Sequence, residues 1–309
     1  MSPNDPGTGW VDPNPPDTTD AGAARILAIA AVALTGVVLL ALVGVVMAKH
    51  AGVFGNDDEH RDRPSVVLSA ANAEGENPFM PSVVVAPIEI ADNVAGDIAS
   101  FTAQLPLSAA RGARLVAGTQ PGLYGSVGKA ALCDVPGVAN YLDAQPEKST
   151  AWAQAIGIAP QKIPYYLNTL TPVALIGDTW VTSSDFTDGR MVPTQTVLQA
   201  GNAVLIDQAG VPRVHCATGD PLGPPANIDL ADLDVHGERW PEFDTRNVVA
   251  VAYTGGEATK PVTEFTLRDL SSGETGTHPA GGNISLGADP SGWVPDPVAM
   301  NVPPTKGMK

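Results

Sequence analysis

The sequence predicts an α+β protein: one extracytoplasmic domain of short helices packed on antiparallel strands and hairpins, preceded by a single transmembrane helix. Three observations predict this class. An uncharged apolar run covers residues 26–48, segments with helical apolar spacing follow Cys133, and β-branched segments bounded by Gly, Pro and Asp come after these. The resulting regions are a tail (1–24), the transmembrane helix (25–49), a stalk (50–79), the domain (80–279) and a flexible Pro/Gly-rich tail (280–309).

The amino-terminal regions are predicted from composition. Residues 1–24 contain almost no apolar side chains and cannot bury enough surface to offset their chain entropy, which indicates a disordered cytoplasmic tail. The run Ile26–Ala48 would be about 34 Å long as a helix, enough to cross a hydrocarbon core of about 30 Å. It is predicted to anchor the chain in the membrane. The alternative is a cleaved signal peptide, because Val46-Met47-Ala48 has a spacing that signal peptidase accepts.

Two observations bear on the orientation of the anchor, and they disagree. Arg25 precedes the span, whereas Lys49, Arg61 and Arg63 follow it, so a literal count of basic residues places the domain in the cytoplasm. Long domains, however, cross the membrane largely regardless of charge, and the two cysteines lack metal-type or redox-type spacing. We therefore expect an extracytoplasmic domain on a single-pass cell-membrane anchor.

Composition argues against nucleic-acid partners, and motif spacing argues against nucleotides. The formal net charge is −16 with only 17 Lys and Arg, so no basic surface is expected that would neutralise a nucleic-acid backbone. Residues 122–130, GLYGSVGKA, have the appearance of a phosphate-binding loop, but Leu123 stands where the first glycine belongs and Ala130 where the hydroxyl belongs. The sequence thus predicts neither nucleic-acid nor nucleotide binding.

Three short helices are predicted in the first half of the domain. They are VPGVANYLDAQP (135–146), EKSTAWAQAIGI (147–158) and PQKIPYYLNTL (160–170). In the last of them Pro160 suits a first helical turn, and apolar residues recur at three- and four-residue spacing. We expect these helices to cluster around Trp152.

Strands are predicted after the helices, where the apolar period changes. The segments are PVALIGDTWVT (172–182), TVLQAGNAVLID (196–207) and VPRVHC (211–216). The last two are expected to form a hairpin, because Gly210 in the turn is free to adopt a positive φ. Residues 247–255 and 263–276 are predicted to form a second hairpin set.

Cys133 and Cys216 are the two cysteines of the chain. A disulfide between them would close a loop of about 84 residues and stabilise the fold by about 4.5 kcal/mol. The alternatives are two buried free thiols, or a nucleophilic cysteine beside His215. The last is disfavoured, because neighbouring residues on a strand point to opposite faces.

Two groups of acidic residues are candidate sites. Asp232, Asp234, His236 and Gly237 occupy positions one, three, five and six of a calcium loop, but Phe243 replaces the bidentate glutamate, so a surface acidic loop is favoured.

The second acidic group is Asp178, Asp185 and Asp188, which would supply paired carboxylates for glycoside chemistry. Turn formation is the alternative for each of them. Asp185 and Asp188 are kept as the candidate catalytic residues. The five scattered histidines form no metal motif, and neither a metal nor a cofactor is predicted.

The order of several blocks resembles a family of actinobacterial membrane-anchored proteins that share a domain of unknown function. The blocks are ENPFMPSV, GLYGS, Cys133-Asp134, AWAQAIGI, LTPVALIGDTWVT, Phe186-x-x-Gly189, LQAGNAVLIDQAGVPRVHC and Gly219-Asp-Pro-Leu, between about residues 76 and 225. The resemblance implies a membrane anchor and a location in the cell envelope, but no activity. This chain departs from the family pattern in having Thr218 in place of a second cysteine, and Ser183-Ser184 in place of an Asn-His pair.

The sequence favours a binding, interaction or sensing function whose partner is an envelope protein or a cell-wall glycan. Tyr124, Trp180, Phe186 and Arg213 are the predicted recognition residues, because large aromatic residues and arginine are typical interface anchors. The first alternative is an envelope hydrolase that uses Asp185 and Asp188 with a distant partner residue. The second is a structural spacer, which predicts neither a pocket nor a recognition patch.

Overall fold

The computed structural model describes residues 64–75, 78–85, 88–252 and 260–300, and within them it is a strand-rich mixed α/β structure. Four α-helices are described: α1 (Asp92–Gln104), α2 (Val135–Ala144), α3 (Pro146–Ile156) and α4 (Ile163–Thr169). Fourteen strands are described: β1 (Ser65–Ser69), β2 (Leu107–Ser108), β3 (Ala113–Ala117), β4 (Tyr124–Ser126), β5 (Thr171–Leu175), β6 (Thr179–Thr187), β7 (Arg190–Leu198), β8 (Ala203–Ile206), β9 (Pro212–His215), β10 (Leu222–Gly223), β11 (Asp234–His236), β12 (Val249–Ala252), β13 (Glu264–Asp269) and β14 (Thr275–Pro279).

The strands form two mixed sheets. One has the order β11-β1-β7-β6-β12-β3-β2, with β10 paired to β6, and the other has the order β14-β13-β4-β5-β8-β9. The hairpins β6–β7, β8–β9 and β13–β14 are antiparallel. The pairs β1–β7, β1–β11, β12–β3, β12–β6 and β13–β4 are parallel.

The predicted fold class, helices packed on antiparallel strands, is wrong. Local alternation reveals hairpins but not parallel pairs, which join segments far apart in the chain. Val249–Ala252, predicted to belong to a hairpin set, instead runs parallel between β6 and β3, and the hairpin partner of β13 is β14. Among the described residues no helix is long and apolar enough to cross a bilayer. The predicted tail (1–24) and membrane span (26–48) lie outside those residues.

The three predicted helices and the β8–β9 hairpin are confirmed. Asp134 caps α2 by accepting a hydrogen bond from Gly137 N, and Gly157 ends α3 in a left-handed conformation. Gly210 has φ +76° in the hairpin turn. The stretch predicted as one strand at 172–182 is divided after Leu175, and its halves, β5 and β6, lie in different sheets.

Apolar residues of the strands alternate between layers of the core. In β8, Ala203 and Leu205 pack with the helices, whereas Val204 and Ile206 pack with side chains of the eight-stranded sheet. On the far side of that sheet a third cluster surrounds Trp180. The six-stranded sheet is therefore covered on both faces, which explains the continuous apolar run of β8.

Candidate functional site

An open groove of about 870 Å³ crosses one end of the eight-stranded sheet. Its walls come from β1 and the turn after it, from β6 and β7, and from residues 215–220. Its lining combines hydroxyl, acidic and aromatic side chains: Ser183, Thr194, Thr196, Thr218, Glu74, Asp185, Asp220, Glu238 and Phe186. This volume falls in the range of small-molecule and oligomer-binding clefts.

The floor of the groove contains a tight turn, His215–Asp220, which we call the site turn. Gly219 N donates to His215 O (2.7 Å) and His215 N donates to Asp220 O (3.0 Å). Met80 N donates to Thr218 O, and the indole of Trp152 donates to Gly219 O at 3.1 Å. The site turn is thus clamped by the helical layer and by the segment preceding α1.

The predicted disulfide between Cys133 and Cys216 is confirmed, with Cα atoms 6.0 Å apart. Cys216 lies within the site turn, and Cys133 directly precedes the capping residue of α2. The cross-link therefore ties the floor of the groove to the helices.

The pairing of β6 with β10 brings two carboxylates close together. In this antiparallel pair Ser183 lies opposite Leu222, and Ser184 N donates to Pro221 O (3.1 Å). Asp185 directly follows Ser184, Asp220 directly precedes Pro221, and both side chains line the groove. The charge of Asp185 acts on Asp220 and contributes to the raised pKa of that carboxyl group. The two acidic groups are therefore neighbours in the groove, although they are 35 residues apart in the chain.

The two carboxylates have different environments. Asp185 is exposed and accepts a hydrogen bond from Thr194 Oγ1 (2.9 Å), whereas Asp220 is only 7% exposed. Burial raises the pKa of Asp220 to about 7, and the negative charge of Asp185 contributes in the same direction. The positive charge of Lys148 acts in the opposite direction, as does the Thr218 hydroxyl whenever it donates to the carboxylate. Asp220 can consequently hold or release a proton near neutral pH.

A series of buried, hydrogen-bonded polar side chains leads from Asp220 into the protein interior. Thr218 Oγ1 lies 3.2 Å from His215 Nδ1, and His215 Nε2 lies 2.8 Å from Asn202 Oδ1. Burial lowers the pKa of His215 to about 4, so the imidazole is neutral near pH 7. Both Asn202 and His215 are almost completely buried.

An aromatic cluster with one cation lies under the Phe186 side of the groove. Lys148 Nζ lies 4.9 Å, 5.2 Å and 5.8 Å from the ring centroids of Phe79, Tyr141 and Phe186. The ammonium group also donates to Phe79 O and to Tyr141 Oη. These contacts place a positive charge close enough to Asp220 to affect its pKa.

The structure places one of the four predicted recognition residues in the groove. Phe186 is half-buried and lines it. Tyr124 is buried and donates to Gly210 O, Trp180 is buried under the guanidinium group of Arg111, and Arg213 is buried in an ion pair with Asp207 (2.7 Å). These three side chains belong to the core.

The predicted acidic candidates are separated by the fold. Asp185 lines the groove, but Asp188 lies in the β6–β7 turn with φ +51°, as its turn interpretation predicts. Asp178 accepts hydrogen bonds from Ala200 N and Trp240 Nε1, and burial raises its pKa. Asp178 thus links two loops and does not line the groove.

The other two motifs also have structural roles. In GLYGSVGKA, residues 124–126 form the buried strand β4, and Gly125 packs so closely on Leu270 that a side chain would not fit. Asp234–His236 form strand β11, paired with β1, rather than a calcium loop. Throughout the described residues, no group of three or more His, Cys, Asp or Glu side chains is arranged to hold a metal ion.

Sequence reasoning missed Asn202, Thr218 and Asp220 as site residues and considered His215 only as the partner of a nucleophilic cysteine. Asp220 appears in the sequence as part of Gly219-Asp-Pro-Leu, which resembles an ordinary turn. The available signal was three polar residues, His215, Thr218 and Asp220, in a turn that begins at the end of the buried strand β9. Polar residues beside a buried strand either reach solvent or find partners in the interior.

Comparison with known proteins gives a family. The model of a domain of unknown function, DUF6777, matches residues 114–281, which is more than half of the chain. The match includes the site turn, Asp185 and Asp220, but not β1. No curated protein and no solved structure matches the chain.

Proposed function

This chain belongs to the family of the domain of unknown function DUF6777, and from that premise we propose that its groove is the active site of a hydrolase acting on glycans outside the cytoplasm. The observation that carries the proposal is the pair Asp185 and Asp220, which β6–β10 register brings together in one groove. One carboxyl group is buried, with a pKa of about 7, and the other is exposed. Glycoside hydrolases generally need two carboxyl groups with such divided roles.

The proposed chemistry divides the reaction between the two side chains. Asp220, protonated at about pH 7 or below, gives its proton to the glycosidic oxygen as the bond to the anomeric carbon breaks. Asp185, ionised, stabilises the positive charge that develops on the sugar ring. Water adds to the anomeric carbon and passes one of its two protons to the carboxylate of Asp220, which restores the acid. One product keeps the hydroxyl group derived from water, and the other keeps the hydroxyl group formed at the glycosidic oxygen. Phe186 offers an apolar face against which a sugar ring can pack.

The disulfide supports the proposed location. Structural disulfides persist in oxidising compartments and are rare in the cytosol, and Cys133–Cys216 joins two layers of this domain. The order of motifs described above supports an actinobacterial cell envelope as the setting, and a cell-wall glycan as the substrate class.

The experiment compares three variants of the full chain. Purified protein is incubated with isolated cell-wall polysaccharide, and new reducing ends are counted. We expect Asp220→Asn and Asp185→Asn each to lower the rate by at least about 100-fold. Asp188→Asn is the matched control, because this exposed aspartate lies in the adjacent turn, and it should retain the wild-type rate. Wild-type release of reducing ends that persists undiminished in Asp220→Asn would refute the hydrolase proposal.

Glycan binding without cleavage is the second candidate, and the partly apolar groove wall at Phe186 favours it. In that case the wild-type chain would sediment with insoluble cell wall but release no reducing ends. Phe186→Ala would then weaken sedimentation, whereas Asp220→Asn would leave it nearly unchanged. The spacer alternative predicts neither result.

A further inference from the structure

We infer that Asn202, His215 and Thr218 are positioning residues that fix the direction of successive hydrogen bonds, so that Asp220 is held in its protonated, proton-donating form. This inference rests on the proposed role of Asp220 as the acid of the groove.

The side-chain amide of Asn202 has one possible orientation. Its Oδ1 accepts from the backbone N–H of Asn72 (2.8 Å), and its Nδ2 donates to the backbone carbonyl of Gln199 (2.9 Å). Because a backbone N–H only donates and a carbonyl only accepts, a flipped amide would face both groups with the wrong atoms. Asn72 is itself held by hydrogen bonds to Gly201 O and Ala203 N.

The orientation of Asn202 determines the tautomer of His215. Asn202 Oδ1 is an acceptor and lies 2.8 Å from His215 Nε2, so Nε2 carries the proton of the imidazole. Burial keeps the ring neutral by lowering the pKa of His215 to about 4. Nδ1 of His215 is therefore an acceptor.

The tautomer of His215 in turn directs the hydroxyl of Thr218. That hydroxyl has one proton and two neighbours able to accept it: His215 Nδ1 at 3.2 Å and the carboxyl group of Asp220. The imidazole has no proton to offer at Nδ1, so the hydroxyl donates to His215. Thr218 Oγ1 accepts from Asp220 N (3.3 Å), and the hydroxyl is close enough to the carboxyl group to affect its pKa. With its proton directed to His215, the oxygen has a second lone pair left to accept from that carboxyl group.

Asp220 consequently meets an acceptor rather than a donor at Thr218. A hydrogen-bond acceptor favours the neutral carboxylic acid, which can donate to it, over the carboxylate. The charged groups around Asp220 are Asp185 from β6 and Lys148 from α3, while Glu74 and Glu238 line the same groove. The hydrogen bonds from Asn202 through His215 to Thr218 thus act in the same direction as burial and the charge of Asp185, which also favour the protonated form.

The first test follows the titration of Asp220 by NMR in full chain labelled with ¹³C at aspartate carboxyl carbons, with the resonance assigned by its loss in Asp220→Asn. His215→Phe removes the acceptor but leaves Asn202 Oδ1 with its bond from Asn72. The Thr218 hydroxyl then becomes free to donate to Asp220, and we expect the Asp220 midpoint to fall by about one pH unit or more. Thr196 lies in the groove wall but takes no part in these hydrogen bonds, so Thr196→Val should leave the Asp220 midpoint unchanged.

A double variant assigns the effect to the hydroxyl. If Thr218 transmits the change, His215→Phe should lower the midpoint in the wild-type background but not in Thr218→Val. A midpoint that stays constant or rises in His215→Phe overturns the inference, as does an equal fall in both backgrounds.

The second test needs no variant. In wild-type chain labelled with ¹⁵N at histidine, long-range ¹⁵N–¹H spectra identify which ring nitrogen of His215 is protonated. A proton on Nε2 supports the inference, and a proton on Nδ1 overturns it. Neither test uses a substrate, so a chain with the expected titration that cleaves no glycan would refute the proposed function while leaving this inference intact.

Discussion

Two buried groups of the site have pKa values shifted in opposite directions. Burial raises the pKa of Asp220 from 3.8 to about 7 and lowers that of His215 from 6.5 to about 4. The folded chain therefore binds the Asp220 proton more tightly, and the His215 proton more weakly, than the unfolded chain does. Between about pH 4 and 6.5 the two effects on stability oppose each other, because stability falls with rising pH for Asp220 and rises for His215.

Replacing Asp220 should show how much this side chain contributes to the pH dependence of the free energy of unfolding. The stability that the protonated carboxyl group provides is complete below the unfolded pKa and is lost as pH rises through about 7. We expect Asp220→Asn, measured against wild type by denaturant unfolding, to gain about 2–4 kcal/mol on going from pH 4.5 to pH 8. His215 is present in both proteins and cancels in the comparison.

Asp188→Asn serves as the control for that measurement, because Asp188 is exposed. Its difference from wild type should be the same at both pH values. An Asp220→Asn difference that does not change with pH would mean that the carboxyl group titrates alike in the folded and unfolded chain.

The backbone conformation of the site turn depends on one glycine. Gly219 has φ +73°, and a Cβ atom there would collide with the side chain of Met80. We expect Gly219→Ala to lower the free energy of unfolding by about 2–4 kcal/mol through backbone strain and overpacking together. It should also move Asp220, which follows directly.

Gly189 offers a matched comparison for this substitution. It has φ +76° in the β6–β7 turn, but no atom lies within 4 Å of where a Cβ would stand. Gly189→Ala should therefore cost about 1 kcal/mol from backbone strain alone. Equal losses for the two variants, measured by denaturant unfolding, would show that contact with Met80 does not matter.

Some helices and strands could be predicted from the sequence and others could not. Helices α2 to α4 and the β8–β9 hairpin were predictable because their signals, apolar spacing and a turn glycine, are local. The parallel neighbours of β12 were not, since Val249–Ala252 pairs with Ala113–Ala117 from a distant part of the chain. Asp185 was predictable as a site residue and Asp220 was not, because the register that joins them and the burial that shifts one pKa are properties of the assembled sheet.

Residues 281–300 pack along the helical layer as a strap, although the sequence predicts a flexible tail. Asn283 Nδ2 donates to Leu170 O (2.6 Å), and Ile284 N donates to Asn168 Oδ1 (2.9 Å). Farther along, Asp289 pairs with Lys162, whose ammonium group also lies 5.8 Å from the ring centroid of Trp293. The contact of Trp293 with Lys162 is one of several that dock this segment.

Removing this strap should weaken the domain. A chain that ends at Ala280 loses these hydrogen bonds and the ion pair, and we expect its free energy of unfolding to fall by about 2–4 kcal/mol. Denaturant unfolding measures the change. Leu286→Ser, at an exposed position of the strap, should have no effect, and a truncated chain as stable as the full one would show that the strap contributes nothing.

Because Cys216 lies inside the site turn, the structure of that turn depends on whether the two cysteines are oxidised. A newly made chain in a reducing compartment has two thiols, so nothing covalent holds His215, Thr218 and Asp220 against the helices. Oxidation of the two thiols would then be the step that completes the floor of the groove. Under the proposed function, the reduced chain would be inactive inside the cell, and the disulfide would make activity depend on oxidation.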